Sequence, residues 1–291
     1  MKRLICMMKK ILPSACKKKI VRLMDLFVYH VLPSKTIVLI MCSMRSGSTL
    51  LKALLAEADD VSHLPEVNYK EYSSNTYSFY SQAYFLSKKR IIVLKHPLIT
   101  MKRLTLESDR IKIIVLVRDV YSVVKSLEQR HEHQDTGFKG LGKEDWVRYW
   151  CNTYEKILDF SKQRGKNVCF IRYEDLVRNP KEITKKLFSF IGSQKTEGVD
   201  SYKKPEHFEW AWGSDDGGEK IKRLRILPED SNQQDLELQN IINESMPVYH
   251  LRNKLGYVNN REGARENAEE DLSKLFLSSS ECHQGGHPNE K

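Results

Sequence analysis

The segment from Cys42 to Thr49, CSMRSGST, combines small hydroxyl-bearing residues with a single arginine. It lies between the apolar run TIVLIM (36–41) and the helical pattern STLLKALLAEA (48–58). In open α/β sheets ligands bind beyond the carboxyl ends of the strands, and the first N–H groups of a helix attract phosphate. A turn in this position therefore indicates an anion site.

Each residue type in the turn suits a phosphate group. Gly47 lets the backbone come close to a ligand, and Arg45 supplies a permanent cation. The hydroxyl donors are Ser46, Ser48 and Thr49. A Walker A motif would require glycine at 42 and lysine at 48, where the chain has Cys42 and Ser48. The missing glycine and lysine disfavour a nucleotide kinase, which is the alternative enzyme class. A purely structural glycine turn with a serine cap also fits the sequence.

A second strand exit occurs in IKIIVLVRDVYSVVKS (111–126). Arg118 follows the apolar run directly, and Asp119 can cap the next helix. Ser126 comes eight residues after Arg118 and shares a helical face with Ser122. An arginine at a strand end and a serine two turns later can hold one terminal phosphate between them. An ordinary surface pair of arginine and carboxylate is equally compatible with this pattern.

Strand-like runs alternate with helical patterns along most of the chain. The strand-like runs are 36–41, 90–96, 111–117 and 167–173, and the helical patterns are 48–58, 120–133, 143–165, 179–192 and 233–246. Three of the strand-like runs are almost continuously apolar, as is typical of strands covered on both faces. The alternation predicts an α/β fold with a three-layer, mostly parallel sheet flanked by helices. Trp146 and Trp150, four residues apart on one helix, are expected in the core.

The composition favours anionic partners. The chain has 291 residues and a formal net charge of +10, which suits nucleotides, acidic glycans, nucleic acid or an anionic membrane, although it also serves solubility. Against nucleic acid, the cations are spread out and no nucleic-acid-binding motif occurs. The six cysteines form no C-x-x-C pair and no histidine cluster has zinc spacing, so we predict neither a structural metal nor a disulfide framework.

The first 35 residues form a basic lead-in to the predicted domain. Eight lysines and arginines precede the first acidic residue, Asp25. Charges interrupt every apolar stretch, so neither a spanning helix nor a signal peptide is predicted. The segment can lie on an anionic membrane surface or pack as an N-terminal helix. We predict a domain over 36–260 and a loosely ordered polar tail over 261–291.

Three blocks, in order, resemble sulfotransferases that use 3′-phosphoadenosine 5′-phosphosulfate (PAPS). SMRSGSTLL resembles the 5′-phosphosulfate loop in the Arg-Ser-Gly form of Golgi carbohydrate and tyrosylprotein enzymes. VLVRDVYSVVKSL resembles the 3′-phosphate block, and VCFIRYEDLVRNPKEITKKLFSFIG resembles the later strand–helix segment. The resemblance covers residues 36 to about 192 and implies the P-loop NTPase-like sulfotransferase fold. Beyond residue 200 it is limited to LRNKLGY, with EKIKRLR (219–225) a loose substitute for the family's basic Arg-Lys-Gly segment.

The resemblance implies transfer of a sulfuryl group from PAPS to a hydroxyl or amine, with no metal. Arg45 and Lys95 would assist the leaving group, and Tyr173 would contact adenine unless it is a plain core tyrosine. Two residues are candidates for the base. Glu66 follows Arg45 by 21 residues, as in tyrosylprotein and carbohydrate enzymes, and His96 follows Lys95 directly, one position short of the cytosolic Lys-Thr-His pattern.

The acceptor expected from the resemblance is a carbohydrate, because arginine opens the loop and Glu66 follows at the matching distance. A tyrosylprotein or a small-molecule hydroxyl is the alternative acceptor. Golgi relatives carry a membrane anchor, and none is visible here. A cytoplasmic enzyme is therefore expected, with the Golgi lumen as the alternative compartment.

Overall fold

The computed structural model of the chain describes residues 14–64, 76–97, 108–133, 140–162, 165–206, 219–226 and 235–257. The strands are β1 (Thr36–Cys42), β2 (Ile91–Pro97), β3 (Ile111–Val117) and β4 (Val168–Arg172). The helices are α1 (Ser14–His30), α2 (Ser48–Leu55), α3 (Thr76–Tyr84), α4 (Val120–His133), α5 (Lys143–Ser161), α6 (Tyr173–Arg178), α7 (Pro180–Ile191), α8 (Glu219–Lys222), α9 (Leu236–Glu244) and α10 (Met246–Lys254). The predicted tail over 261–291 lies outside the described residues.

In the described residues the strands form a parallel sheet of order β2-β1-β3-β4. β1 lies in the centre, where Leu39 is opposite Leu94 on one side and Ile113 on the other. Each strand is nearly all apolar because both of its faces are covered. The predicted α/β fold with a mostly parallel, three-layer sheet is therefore confirmed.

Alternating residues of β1 enter two separate cores, since successive side chains of a strand point to opposite faces. Ile37, Leu39 and Met41 pack in the core under α1, α3, α4, α5, α9 and α10. Val38, Ile40 and Cys42 pack in the core under α2, α6 and α7. The predicted core positions Trp146 and Trp150 are 2% and 0% exposed, which confirms them.

The lead-in contains a helix that packs on the sheet layer. α1 contacts α3, Val28 is buried, and the ring of Tyr29 meets the rings of Tyr77 and Tyr80 edge-on at centroid distances of 5.0 Å. The helix that the sequence left open as packed or membrane-bound therefore has one packed face. None of the helices in the described ranges is both long and apolar enough to cross a bilayer.

The turns predicted to bind anions lie at the carboxyl ends of the strands. The turn after β1 leads into α2, the exit of β3 leads into α4, and β4 leads directly into α6. Because β1, β3 and β4 are parallel neighbours, these three exits lie at the same edge of the sheet.

Candidate active site

The turn between β1 and α2 has the backbone of an anion-binding loop. Arg45 and Gly47 both adopt left-handed conformations, with φ of 64° and 85°. A non-glycine residue at positive φ is uncommon and clusters at ligand sites. Turns of this kind can direct successive N–H groups into one concavity, and the N-terminus of α2 follows immediately. The loop geometry thus suits the predicted phosphate.

A buried tyrosine supports the loop from beneath. The hydroxyl of Tyr154 on α5 donates to the carbonyl of Leu116 at 3.0 Å and lies 3.0 Å from Ser46 Oγ and 3.3 Å from Ser43 Oγ. A second α5 tyrosine, Tyr149, accepts a hydrogen bond from the Met44 N–H at 2.9 Å. Helix α5 therefore ties the loop to the end of β3.

Ser46 differs from its expected role as a hydroxyl donor to the ligand. Its side chain is fully buried, with Oγ 2.5 Å from Ser43 Oγ and 3.0 Å from the Tyr154 hydroxyl. The hydroxyl is used inside the protein, because a buried polar group needs a partner there. Ser46 can serve an anion through its backbone N–H. Ser48 is buried and Thr49 is half-buried at the start of α2.

The two predicted anion-binding blocks are in direct contact. Arg45 Nε donates to Ser126 Oγ on α4 at 2.9 Å. Arg118 donates through Nη1 to the carbonyl of Arg45 at 2.8 Å, and its own carbonyl accepts from the indole N–H of Trp150 at 2.9 Å. Arg45, Arg118 and Ser126, which the sequence placed in separate motifs, therefore form one cluster.

Tyr173 completes the cluster from the third strand exit. The guanidinium of Arg118 lies over its ring, 4.5 Å from the centroid, within the range of a cation–π contact. The ring also covers the loop, since a β-carbon at Gly47 would lie only 2.4 Å from Cδ2 and Cε2 of Tyr173. Position 47 therefore requires glycine for two reasons, its positive φ and this close approach.

The candidates for acid–base chemistry are only partly placed by the structure. Lys95 is half-buried in β2 opposite Ile40 of β1, so the strand alternation directs it to the α2 side of the sheet. His96 belongs to β2, but its side chain lies outside the described part of the chain. Glu66 also lies outside the described residues, so both candidates for the base stay predictions.

His63 lies just before Glu66 in the sequence, in a segment that pairs with the edge strand β2. Val61 forms a parallel bridge with Ile91, and the hydroxyl of Ser62 accepts from the Val93 N–H. Burial, aided by the positive charge of the buried Lys52, lowers the pKa of His63 to about 4. His63 is therefore neutral at pH 7.

The exit of β3 is held by a cap that the sequence predicted and by two contacts that it did not. Asp119 caps α4 as expected, since its Oδ1 accepts from the Tyr121 N–H. Its Oδ2 also pairs with Arg252 at 3.1 Å. Glu174 accepts from the Asp119 N–H at 2.9 Å and from the Tyr257 hydroxyl at 2.8 Å. Burial raises the pKa of Glu174. Arg252 and Tyr257 belong to LRNKLGY, the signal that could have located them.

An open pocket of about 780 Å³ lies beside α6. Its polar lining includes Glu174, Arg178, Asp200 and Arg225. Arg225 ends the EKIKRLR segment and is joined to Ser201 by an antiparallel bridge. The basic segment therefore approaches the helix that begins with Tyr173. In the described ranges no group of three or more histidine, cysteine, aspartate or glutamate residues could hold a metal ion.

Residues 35–209 match the sulfotransferase domain family. Similar solved structures include a sulfotransferase domain from the curacin biosynthetic pathway (20% identity, TM-score 0.49, covering 78% of this chain and 99% of that one). Another is the sulfotransferase domain of the Synechococcus PCC 7002 olefin synthase (18% identity, TM-score 0.49, covering 79% of this chain and 98% of that one). A mouse sulfotransferase complexed with PAP is also similar (15% identity, TM-score 0.40, covering 58% of this chain and 62% of that one).

No curated protein sequence matches the chain. The family match spans β1 to β4 and includes each strand exit of the candidate site. The chain therefore belongs to the sulfotransferase family and is a PAPS-dependent enzyme.

Proposed function

We propose that this sulfotransferase modifies a hydroxyl group of a carbohydrate. The observation that carries the site assignment is the single cluster of Arg45, Arg118 and Ser126 at adjacent strand exits. Two guanidinium groups, a left-handed turn and a helix N-terminus provide donors for a ligand with charged groups at two ends. The residues present therefore fit PAPS.

The proposed roles follow from the positions of the side chains. The reaction breaks the bond between the sulfur and the bridging oxygen of PAPS and forms a bond from the sulfur to the acceptor oxygen. Arg45 and the N–H groups at the start of α2 would stabilise the charge that grows on the leaving phosphate. Arg118 and Ser126 would hold the 3′-phosphate, and Lys95 would assist departure. The acceptor proton would pass to Glu66 or to His96.

Two features of the sequence support a carbohydrate acceptor. The loop has the Arg-Ser-Gly form, which resembles that of carbohydrate and tyrosylprotein enzymes. The net charge of +10 also suits an acidic glycan. A tyrosine peptide shares the first feature and a small alcohol shares neither, so these acceptors are the alternatives.

The test is transfer of labelled sulfate from PAPS to a panel of three acceptor types: desulfated acidic glycans, tyrosine-containing acidic peptides and small alcohols. We expect label in the glycan fraction, and its loss in the Arg118→Ala variant. The matched control is Arg148→Ala, whose side chain on α5 is 70% exposed. Transfer to peptides or alcohols alone would overturn the carbohydrate assignment.

A further inference from the structure

The outer face of α1 carries an exposed apolar stripe. Leu23, Phe27 and Val31 are 66%, 52% and 63% exposed. They are spaced four residues apart, and the Val31 N–H bonds to the Phe27 carbonyl, so the helical turn continues to Val31. Residues with this spacing lie on one side of a helix. The three side chains therefore form a continuous stripe, which we call the α1 stripe.

The α1 stripe is not needed to attach the helix to the domain. Val28, outside the stripe on α1, is only 3% exposed and belongs to the core. Tyr29 contacts α3, and its hydroxyl lies 2.5 Å from Ser108 Oγ. A helix with a packed inner side normally presents polar residues outward. Large apolar side chains on the outer side as well indicate a further partner.

The charges around the α1 stripe have one dominant sign. Lys19 and Arg22 are exposed on α1 itself. Lys17 and Lys18 precede them, and Asp25, which is half-buried, is the only acidic residue among the first 30. Apolar side chains next to cations match the composition of helices that lie in the interface of an anionic bilayer.

The helix that packs on α1 ends with the same combination. Phe85 and Leu86, just after α3, are 49% and 36% exposed, and the exposed Lys88 and Lys89 follow. The connection that follows α1 is tied to this segment, because Lys35 Nζ donates to the carbonyls of Tyr84 and Ser87 at 2.9 and 2.5 Å. The α1–α3 layer therefore repeats the pairing of exposed apolar and basic residues.

We propose that the α1 stripe docks on an anionic lipid bilayer, with Lys19 and Arg22 at the headgroups. The apolar side chains would enter the boundary of the acyl chains, and each cation near the surface adds electrostatic attraction. The bilayer is favoured over a second copy of this chain because cations flank the apolar stripe, so two copies that met through this face would bring like charges together and repel.

The test is co-sedimentation of the full chain with vesicles of two compositions. One is phosphatidylcholine alone, and the other contains about 30 mol% phosphatidylserine. We expect at least about tenfold stronger binding to the anionic vesicles, weakened when salt rises from about 0.1 M to about 0.5 M. Equal binding to both compositions, or binding to neither, overturns the proposal.

Two variants separate the apolar from the charged contribution. The triple change Leu23→Gln, Phe27→Gln and Val31→Gln should reduce binding to anionic vesicles by about tenfold or more. The double change Lys19→Glu and Arg22→Glu should do the same through charge alone. The matched control is Leu236→Gln with Met246→Gln, two changes at side chains that are 68% and 58% exposed elsewhere, which should leave binding unchanged.

Thermal melting and PAP binding check that each variant is folded. Full vesicle binding by the triple variant would overturn the role of the α1 stripe. Sedimentation velocity gives the remaining outcome. If the wild-type chain dimerises without binding vesicles, and the triple variant is monomeric, a second copy covers the stripe and the membrane proposal fails.

Discussion

Arg45 Nε donates a hydrogen bond to Ser126 Oγ at 2.9 Å, across 81 residues of sequence. The bond joins the loop after β1 to the helix after β3, so the two anion-binding blocks are positioned by one another. Arg45 is held at positive φ in the same turn. Its guanidinium direction therefore depends on Ser126 as well as on the loop backbone.

Ser126→Ala should weaken binding of PAP, the desulfated product, by about tenfold, because a charge-assisted hydrogen bond is lost and Arg45 is freed to other rotamers. Titration calorimetry with PAP measures this. Ser189→Ala, at an exposed serine of α7, is the matched control and should bind as the wild type does. An affinity within about twofold of the wild type in Ser126→Ala would show that the contact has no role in the site.

Arg118 should be less tolerant of substitution than any other residue of the cluster. It bonds to the Arg45 carbonyl and stacks on Tyr173, so Arg118→Ala removes contacts to two strand exits together with a cation. We expect PAP affinity to fall about 100-fold or more. Arg118→Lys should recover little, because lysine lacks the planar fork. Recovery of wild-type affinity by lysine would contradict the proposed stacking role.

Tyr154→Phe should damage the loop as well as the fold. Removing the hydroxyl takes a donor from the Leu116 carbonyl and one partner from each of the buried serine hydroxyls, Ser43 and Ser46, which should cost about 1–3 kcal/mol of unfolding free energy. PAP affinity should fall about tenfold too, since the loop loses its support.

Tyr80→Phe is the matched control for Tyr154→Phe. Tyr80 is equally buried, and its hydroxyl bonds to the Lys35 N–H and carbonyl at 2.9 and 3.0 Å, with no contact to the loop. Urea unfolding should show a similar loss of stability in both variants, whereas calorimetry should show weaker PAP binding only for Tyr154→Phe. Equal PAP binding by the two variants would show that Tyr154 stabilises the core and does not support the anion-binding loop.

The strands could be predicted from the sequence because their apolar runs are covered on both faces. β3 begins and ends at the predicted residues, 111 and 117, and β1 extends the prediction by one residue. The sites of Arg45 and Arg118 followed from the rule that parallel strands expose their carboxyl ends at one edge. The hydrogen bond from Arg118 to the Arg45 carbonyl could not be predicted in this way, since it depends on the direction of the Arg118 side chain.

The supporting residues were harder to predict because their partners are distant in sequence. Tyr154 and Ser43 are 111 residues apart, and Tyr257 and Glu174 are 83 apart. A tyrosine at a core position of a helix has the same sequence pattern whether its hydroxyl supports a loop or not. The carboxylate of Glu174 likewise joins two segments, since it accepts from the Asp119 N–H and from the Tyr257 hydroxyl.

The stability of the fold should depend on pH through His63. Its pKa is about 4 in the folded protein and near 6.5 when unfolded. A base with a lowered folded pKa contributes full stability above the unfolded value and loses it as the pH falls. We therefore expect the free energy of unfolding to fall between about pH 6.5 and about pH 4. His63→Gln, which stays neutral, should flatten this part of the profile.

Urea unfolding across this pH range measures the effect of His63. His250→Gln, at an exposed histidine of α10, is the matched control and should keep the wild-type profile. Profiles of equal slope for His63→Gln and the wild type would mean that the imidazole is solvated when folded, contrary to its burial.

The base should be separable from the donor site by kinetics. Glu66→Gln should keep PAP affinity and lower kcat about 100-fold or more, since it removes a proton acceptor without removing a cation. The measurements are PAP calorimetry and sulfate transfer, with Glu155→Gln on the exposed side of α5 as the matched control. If Glu66→Gln turns over normally and His96→Gln does not, the base is His96. A loss of PAP affinity in Glu66→Gln would instead place this side chain in the donor site.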